Sequence, residues 1–218
     1  MKLLSTLAVL TAFVGMATAQ QTPSSLFGKT SKQVTTMGLD NWLEYVYRMS
    51  GSTPKKQLEG AKYYASIRTA DANAKLAKLP AARAKLIKDS VAAVQTVALN
   101  LNEAESIANG GGEQYTLAVE VRKAEAAESL FLLASGKGSR KEQISGNLTR
   151  ELIDNWTEQF RDDSTKLKTT GAYDKAASKA AKSIETAQGI YGKLPEGEAN
   201  FMRLMVGFYL SPEIKRPF

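Results

Sequence analysis

Apolar residues recur along most of this chain at steps of three and four, with polar residues between them, and clusters of Gly, Pro and Ser interrupt the pattern. That period belongs to an α-helix with one buried face. The spacing predicts a helix over about 40–49, with Leu39, Trp42, Leu43, Val46 and Met49 on one face and Asp40 as its cap. Gly51 stops it. Thr53 then caps a second helix over about 54–78, with Pro54 at its first position, where a missing N–H costs nothing. This helix is basic and alanine-rich, carries Tyr63 and Tyr64 at its middle, and meets Pro80.

A third helix is expected over about 81–108. Ile87, Val91, Val94, Ala98 and Leu101 step by 4, 3, 4 and 3, the seam of a helix lying along a partner. Gly110, Gly111 and Gly112 break the chain, and a fourth helix follows over about 113–135, with Leu117, Val121, Ala124, Ala127 and Phe131 inward. A fifth is predicted over about 140–168, with a capping box from Ser139 and Glu142 and a stripe of Ile144, Leu148, Leu152, Trp156 and Phe160. A sixth, after Gly171, aligns Tyr173, Ala177, Ala180, Ile184, Ala187 and Tyr191. The last, over about 196–210, is apolar nearly all round, which is the pattern of a buried helix. No stretch of the mature chain alternates with the period of a sheet strand.

The two ends read differently. Lys2, an apolar middle of Leu3, Leu4 and the run Leu7 to Val14, and Ala17-Thr18-Ala19 make the three-part layout of a secretory signal peptide over 1–19, cleaved before Gln20. Its apolar run is shorter than the ~20 residues that span a bilayer. Residues 20–37 are rich in Ser, Thr and Gln, and are read as a flexible polar N-terminal arm. Residues 38–218 then form a single domain: an all-α, up-and-down bundle of about five to seven helices joined by short Gly/Pro/Ser turns. About two hundred residues can build a core without staples, and this chain has no cysteine with which to make one. A cysteine-free exported protein of this size suits the bacterial periplasm, cell surface or exterior better than an animal secretion, where small domains lean on disulfides.

Composition also limits the chemistry. The chain has no histidine, so the usual Ser-His-Asp mechanism is excluded. Without His or Cys, ordinary zinc and copper sites, the di-iron Glu-x-x-His bundle site and His or Cys haem ligation fall away too. The sequence thus implies no metal and no cofactor. Carboxylates remain, and glycan hydrolysis can proceed on Asp and Glu alone. Glu120, Glu128, Glu151, Asp154 and Glu158 lie on predicted helices. Glu128 is the candidate catalytic residue, because it continues the inward stripe of the fourth helix and an apolar setting raises a carboxyl pKa. The competing reading pairs Glu128 with a basic neighbour at the rim. Gly136-Lys137-Gly138-Ser139 lacks phosphate-loop spacing and a preceding strand, and is read as a helix connection. Met202 and Met205 are read as core rather than a soft-metal site.

Charge adds one more candidate. The full chain is +7, and +6 without Lys2. Residues 54–90 hold nine basic and three acidic side chains, whereas 91–139 hold three and six. Lys55, Lys56, Lys62, Arg68, Lys75, Lys78, Arg83, Lys85 and Lys88 form a candidate basic face for an anionic envelope lipid or glycan. Export argues against nucleic acid as the partner. Phe201, Met205, Phe208 and Tyr209 are a candidate docking surface for an envelope protein. With no complete catalytic motif, the sequence favours a non-enzymatic exported scaffold or binding subunit over a carboxylate-based cell-wall glycan hydrolase.

Overall fold

The computed structural model describes residues 25–50, 53–109, 113–139 and 171–211, together with 155, 214 and 216–218. The expected signal peptide and fifth helix lie outside the described residues. So do the sequence candidates Glu151, Asp154 and Glu158, and Glu142 of the expected capping box.

Within 20–37, where a polar arm was expected, residues 25–37 are structured. Ser25–Leu26 (β1) pairs antiparallel with Lys29–Thr30 (β2), Ser25 opposite Thr30 and Leu26 opposite Lys29. The two turn residues, Phe27 and Gly28, both have positive φ, 50° and 74°, as a tight hairpin turn requires. Such a φ strains a Phe. Two contacts hold it: the Tyr45 hydroxyl donates to the Phe27 carbonyl at 2.9 Å, and the Phe27 ring packs on Trp42. Helix α1, Ser31–Met37, begins in a capping box. The Gln33 amide donates to the Thr30 hydroxyl and the Thr30 amide donates to the Gln33 side chain. Its fully buried residue is Val34. The segment is too short to display a helical period, and local polar contacts define it instead.

Gly38, with φ 78°, separates α1 from α2, Leu39–Ser50. Asp40 lies in the first turn of α2 rather than ahead of it, where its charge still favours the helix N-terminus. Helix α3 spans Pro54–Leu76, two residues short of expectation. The Thr53 carbonyl accepts from the Lys56 and Gln57 amides to start it, without a side-chain cap bond. Helix α4 is Ala81–Asn109, α5 is Glu113–Ala134, α6 is Gly171–Tyr191 and α7 is Glu196–Leu210. Gly136, φ 69°, closes α5, with the Lys137 and Gly138 amides returning to the Leu132 carbonyl. The Gly-Lys-Gly-Ser run is thus a helix terminus, as read from sequence. Apart from the hairpin, the regular structure among the described residues is helical. No described helix is long and apolar enough to cross a membrane.

Packing departs from chain order. Helix α5 lies against both α3 and α4, α6 lies along α4, and α7 crosses α4. The predicted seams of α4 and α6 face inward, whereas on α5 only Ala124 and Ala127 of the expected stripe are buried, Leu117, Val121 and Phe131 are half-buried, and Met49 of α2 is exposed. Ile87, Val91, Val94 and Ala98 are buried on α4, as are Ala177, Ala180, Ile184, Ala187 and Tyr191 on α6. The alanines let these two axes approach closely, and Ala104 meets Ala176 and Ala177 at one end. The larger core joins α4, α6 and α7 to the ends of α3 and α5. A second cluster unites α1, α2 and the middle of α3 around Trp42 and Tyr64, with Ala124 of α5. Phe218 touches both.

Helices α2 and α3 meet at a position that only glycine fits. The Trp42 indole N–H donates to the Gly60 carbonyl at 2.8 Å. A Cβ on Gly60 would lie 2.8 Å from both Cγ atoms of Val46 and 3.2 Å from its Cβ. Val46 is fully buried and β-branched, so it cannot swing aside. Alanine would gain up to about 1 kcal/mol of helix propensity, but overpacking costs about 1–3 kcal/mol. We predict that Gly60→Ala is net destabilising by about 1–2 kcal/mol in urea unfolding. Adding Val46→Ala should make the double variant less unstable than the sum of the two single changes. Additive effects would contradict the contact.

Candidate functional site

Helix α5 carries Glu125 and Glu128 three residues apart, so both project from nearly the same side. Both are buried, at 0% and 6% relative exposure. A buried carboxylate must be paired or hydrogen-bonded, and each of these is held by arginine.

Around Glu128, the Tyr64 hydroxyl donates to Oε2 at 2.8 Å. The Arg68 Nε donates to the same oxygen at 2.5 Å, and Nη2 reaches Oε1 at 3.4 Å. That Nη2 also donates to the Thr35 carbonyl at 2.9 Å, tying α1 to α3 and α5. The guanidinium lies 4.3 Å from the Phe131 ring centre, a cation–π contact. Burial raises the Tyr64 pKa above its ordinary value, and the Glu128 carboxylate raises it further. For Arg68, burial acts to lower the pKa, but the interactions with Tyr64 and Glu128 outweigh it and the net direction is upward. Glu128 is thus the paired carboxylate of the competing sequence reading, except that it is interior rather than at a rim.

Glu125 has two clamps. The Arg122 Nη1 contacts both carboxylate oxygens at 3.0 Å. Arg216, from the tail beyond α7, donates to Oε1 through Nε at 3.0 Å and Nη2 at 2.6 Å. Arg216 also pairs with Asp40 of α2, and the Tyr209 hydroxyl bonds Glu125. Aromatic rings close the sides: Arg122 lies 4.8 Å from the Tyr209 ring centre, and Arg216 lies 5.0 Å from that of Phe208. Burial pushes the Glu125 carboxyl upward, opposed by Arg122. Burial and the Glu125 charge raise Tyr209. Burial lowers Arg216 to about 10, which still leaves it charged at neutral pH.

The candidate basic face is divided by the fold. Lys55, Lys56, Lys62, Lys75, Lys78 and Lys88 are exposed. Arg68 is 8% exposed and held by Glu128, Arg83 pairs with Glu198, and Lys85 pairs with Asp89. Lys55 and Lys62 share a side of α3, but Lys75 falls on the opposite side at ~3.6 residues per turn. The stretch is basic in sequence without being one surface. The candidate docking helix turns inward: Phe201 and Met205 are 0% and 1% exposed within their own chain. Phe208 and Tyr209 are half-buried against Arg122. Glu120 pairs with Lys123 on its own helix.

Between α4, α5 and α7 sits a cavity of about 10 Å³, lined by Val91, Val94, Gln95, Ala126, Ser129, Met202 and Tyr209. It is the size of one water. Among the described residues, no three His, Cys, Asp or Glu side chains gather as metal ligands. Sequence reasoning missed Glu125, Arg122, Asp40 and Arg216. Glu125 and Glu128 among alanines were a local signal, but Arg216 and Asp40 reach the site only through the tertiary fold. The chain matches no protein-family model, and no curated protein or solved structure matches it.

Two predictions follow from this chemistry. Arg68→Met leaves Glu128 buried and unpaired, which should cost about 3–5 kcal/mol. Removing both charges, as Arg68→Met with Glu128→Leu, should restore most of that loss in urea unfolding. A double variant as unstable as the single one would contradict the pairing. The second prediction concerns alkaline pH. Tyr64 and Tyr209 have folded pKa values raised above their unfolded value of about 10. Their contribution is therefore fully present below pH ~10 and is lost as pH rises beyond it, since the unfolded chain ionises first. Tyrosinate absorbance should show a late phase that coincides with loss of helical circular dichroism. Ionisation of all eight tyrosines before any unfolding would contradict this.

Proposed function

We propose that this protein is a non-enzymatic helical scaffold or binding subunit of the bacterial cell envelope, exported by the leader at 1–19 and built as an up-and-down bundle. The observation that supports this reading is the pair of arginine clamps on α5. A general acid or base must exchange a proton with its substrate. Glu128 instead accepts from Tyr64 and Arg68 at 2.8 and 2.5 Å in the interior. Glu125 is fully buried between two guanidiniums. The same residues bind α1, α2, α3, α5 and the tail into one unit, which is the work of a rigid scaffold. These contacts weigh against a glycan hydrolase that relies on Glu128.

A second reading, an anionic-surface binder, draws on the exposed lysines of 54–90. Lys55, Lys56 and Lys62 have no acidic partner among the described residues, and Lys55 and Lys62 share one side of α3. Such binding is electrostatic and screened by salt.

The test is recovery of partners by the mature protein from its own detergent-solubilised envelope, with washes at low and then moderate salt. The scaffold reading expects a stoichiometric protein that survives the salt wash. Lipid or glycan released by salt would favour the second reading. Cleavage of envelope glycan by the purified protein would overturn the first.

A further inference from the structure

The tail beyond α7 is bound as a ligand is bound. Ser211 leaves the helix in an extended conformation, and its amide closes the last turn on the Gly207 carbonyl. The Ile214 amide returns to the Ser211 carbonyl. Residues 216–218, Arg-Pro-Phe, then lie over the junction of α2, α5 and α7. The Arg216 guanidinium meets two carboxylates from different helices, Asp40 and Glu125. Its plane is flanked by the rings of Phe208 and Phe218. The Phe218 ring sits 6.3 Å from that of Phe201 and reaches both hydrophobic clusters. A forked cation between two acids, followed by an aromatic group in an apolar recess, is a recognition pattern of high specificity.

We propose that this junction is a receptor for an arginine-plus-aromatic segment, occupied in cis by residues 216–218 of the protein itself and open to the same segment of a second copy when its own is withdrawn. Complementarity on both sides carries the assignment. The receptor supplies two negative charges and aromatic walls, and the tail supplies one guanidinium and one ring. Asp40 is 55% exposed along its side chain, so one side of the clasp is open to solvent. With the tail gone, Glu125 keeps Arg122 as its partner, and the receptor retains the charge that draws in a replacement. Exchange of a tail between identical copies needs no new surface, because each copy already contains both halves. This inference does not rest on the scaffold reading.

The test uses a fluorescent peptide of residues 211–218 as the probe. Proteins to compare are the full chain, a chain ending at residue 215, and that shorter chain carrying Glu125→Gln. The peptide should bind the shortened chain at least roughly ten-fold more tightly than the full chain, whose site is already filled. Both Glu125→Gln in the protein and Arg216→Ala in the peptide should remove that gain. If the shortened chain is helical yet binds no better than the full chain, or if Glu125→Gln changes nothing, the proposal is wrong. Should the shortened chain not fold, full-length Arg216→Lys replaces it, since lysine keeps the charge but loses the fork. The wild-type peptide should then bind this variant at least roughly ten-fold more tightly than the wild-type chain, and equal binding would overturn the proposal.

Discussion

Two carboxylates on the buried side of α5 constrain everything around them. An ionised carboxylate removed from water without a partner would cost several kcal/mol, so each of Glu125 and Glu128 demands a cation and further donors in fixed positions. Arg68 and Tyr64 of α3 answer for Glu128, and Arg122, Arg216 and Tyr209 answer for Glu125. Those arginines recruit other acceptors in turn, the Thr35 carbonyl on α1 and Asp40 on α2. Through these bonds one helix sets the positions of α1, α2, α3, α7 and the tail. Ion pairs of this kind add little net stability relative to a well-packed apolar pair. Their directional geometry selects one arrangement among those that alanine-rich helices would otherwise allow.

The apolar packing divides along the same line. Where α4 meets α6, small side chains and regular seams bring two long helices together without polar help. Where α1, α2 and α3 meet, the contacts are individual: the Trp42 indole on the Gly60 carbonyl, Val46 against a glycine that has no room for a Cβ, and a Phe27 turn held by Tyr45. The first region tolerates exchange of one aliphatic residue for another of similar volume. The second depends on particular atoms.

These differences explain which features were legible beforehand. The α4 seam of Ile87, Val91, Val94 and Ala98 was readable because burial along a helix imprints a period on twenty or more residues. Tyr191, Ala187, Ile184 and Ala180 were readable on α6 for the same reason. The segment 25–37 was not, since a six-residue hairpin and a two-turn helix are too short for a period to emerge, and their polar residues serve as caps rather than as solvated chain. The near-absence of polar residues on α7 announced burial correctly. What it could not reveal was that its own bundle covers Phe201 and Met205.

By itself the sequence determined the helical class, the main breaks at Gly and Pro, the inward faces of α4 and α6, and the removal of His- and Cys-based chemistry. Each of these follows from local backbone preference, from a repeating pattern or from residue inventory. The tertiary structure alone decided that α5 lies between α3 and α4, that Arg68 leaves the basic stretch to neutralise Glu128, and that Arg216, beyond α7, meets Asp40 and Glu125. Those pairings join residues 60, 91 and more than 170 positions apart. No periodicity spans such distances, and only the packing of whole helices brings the charges together.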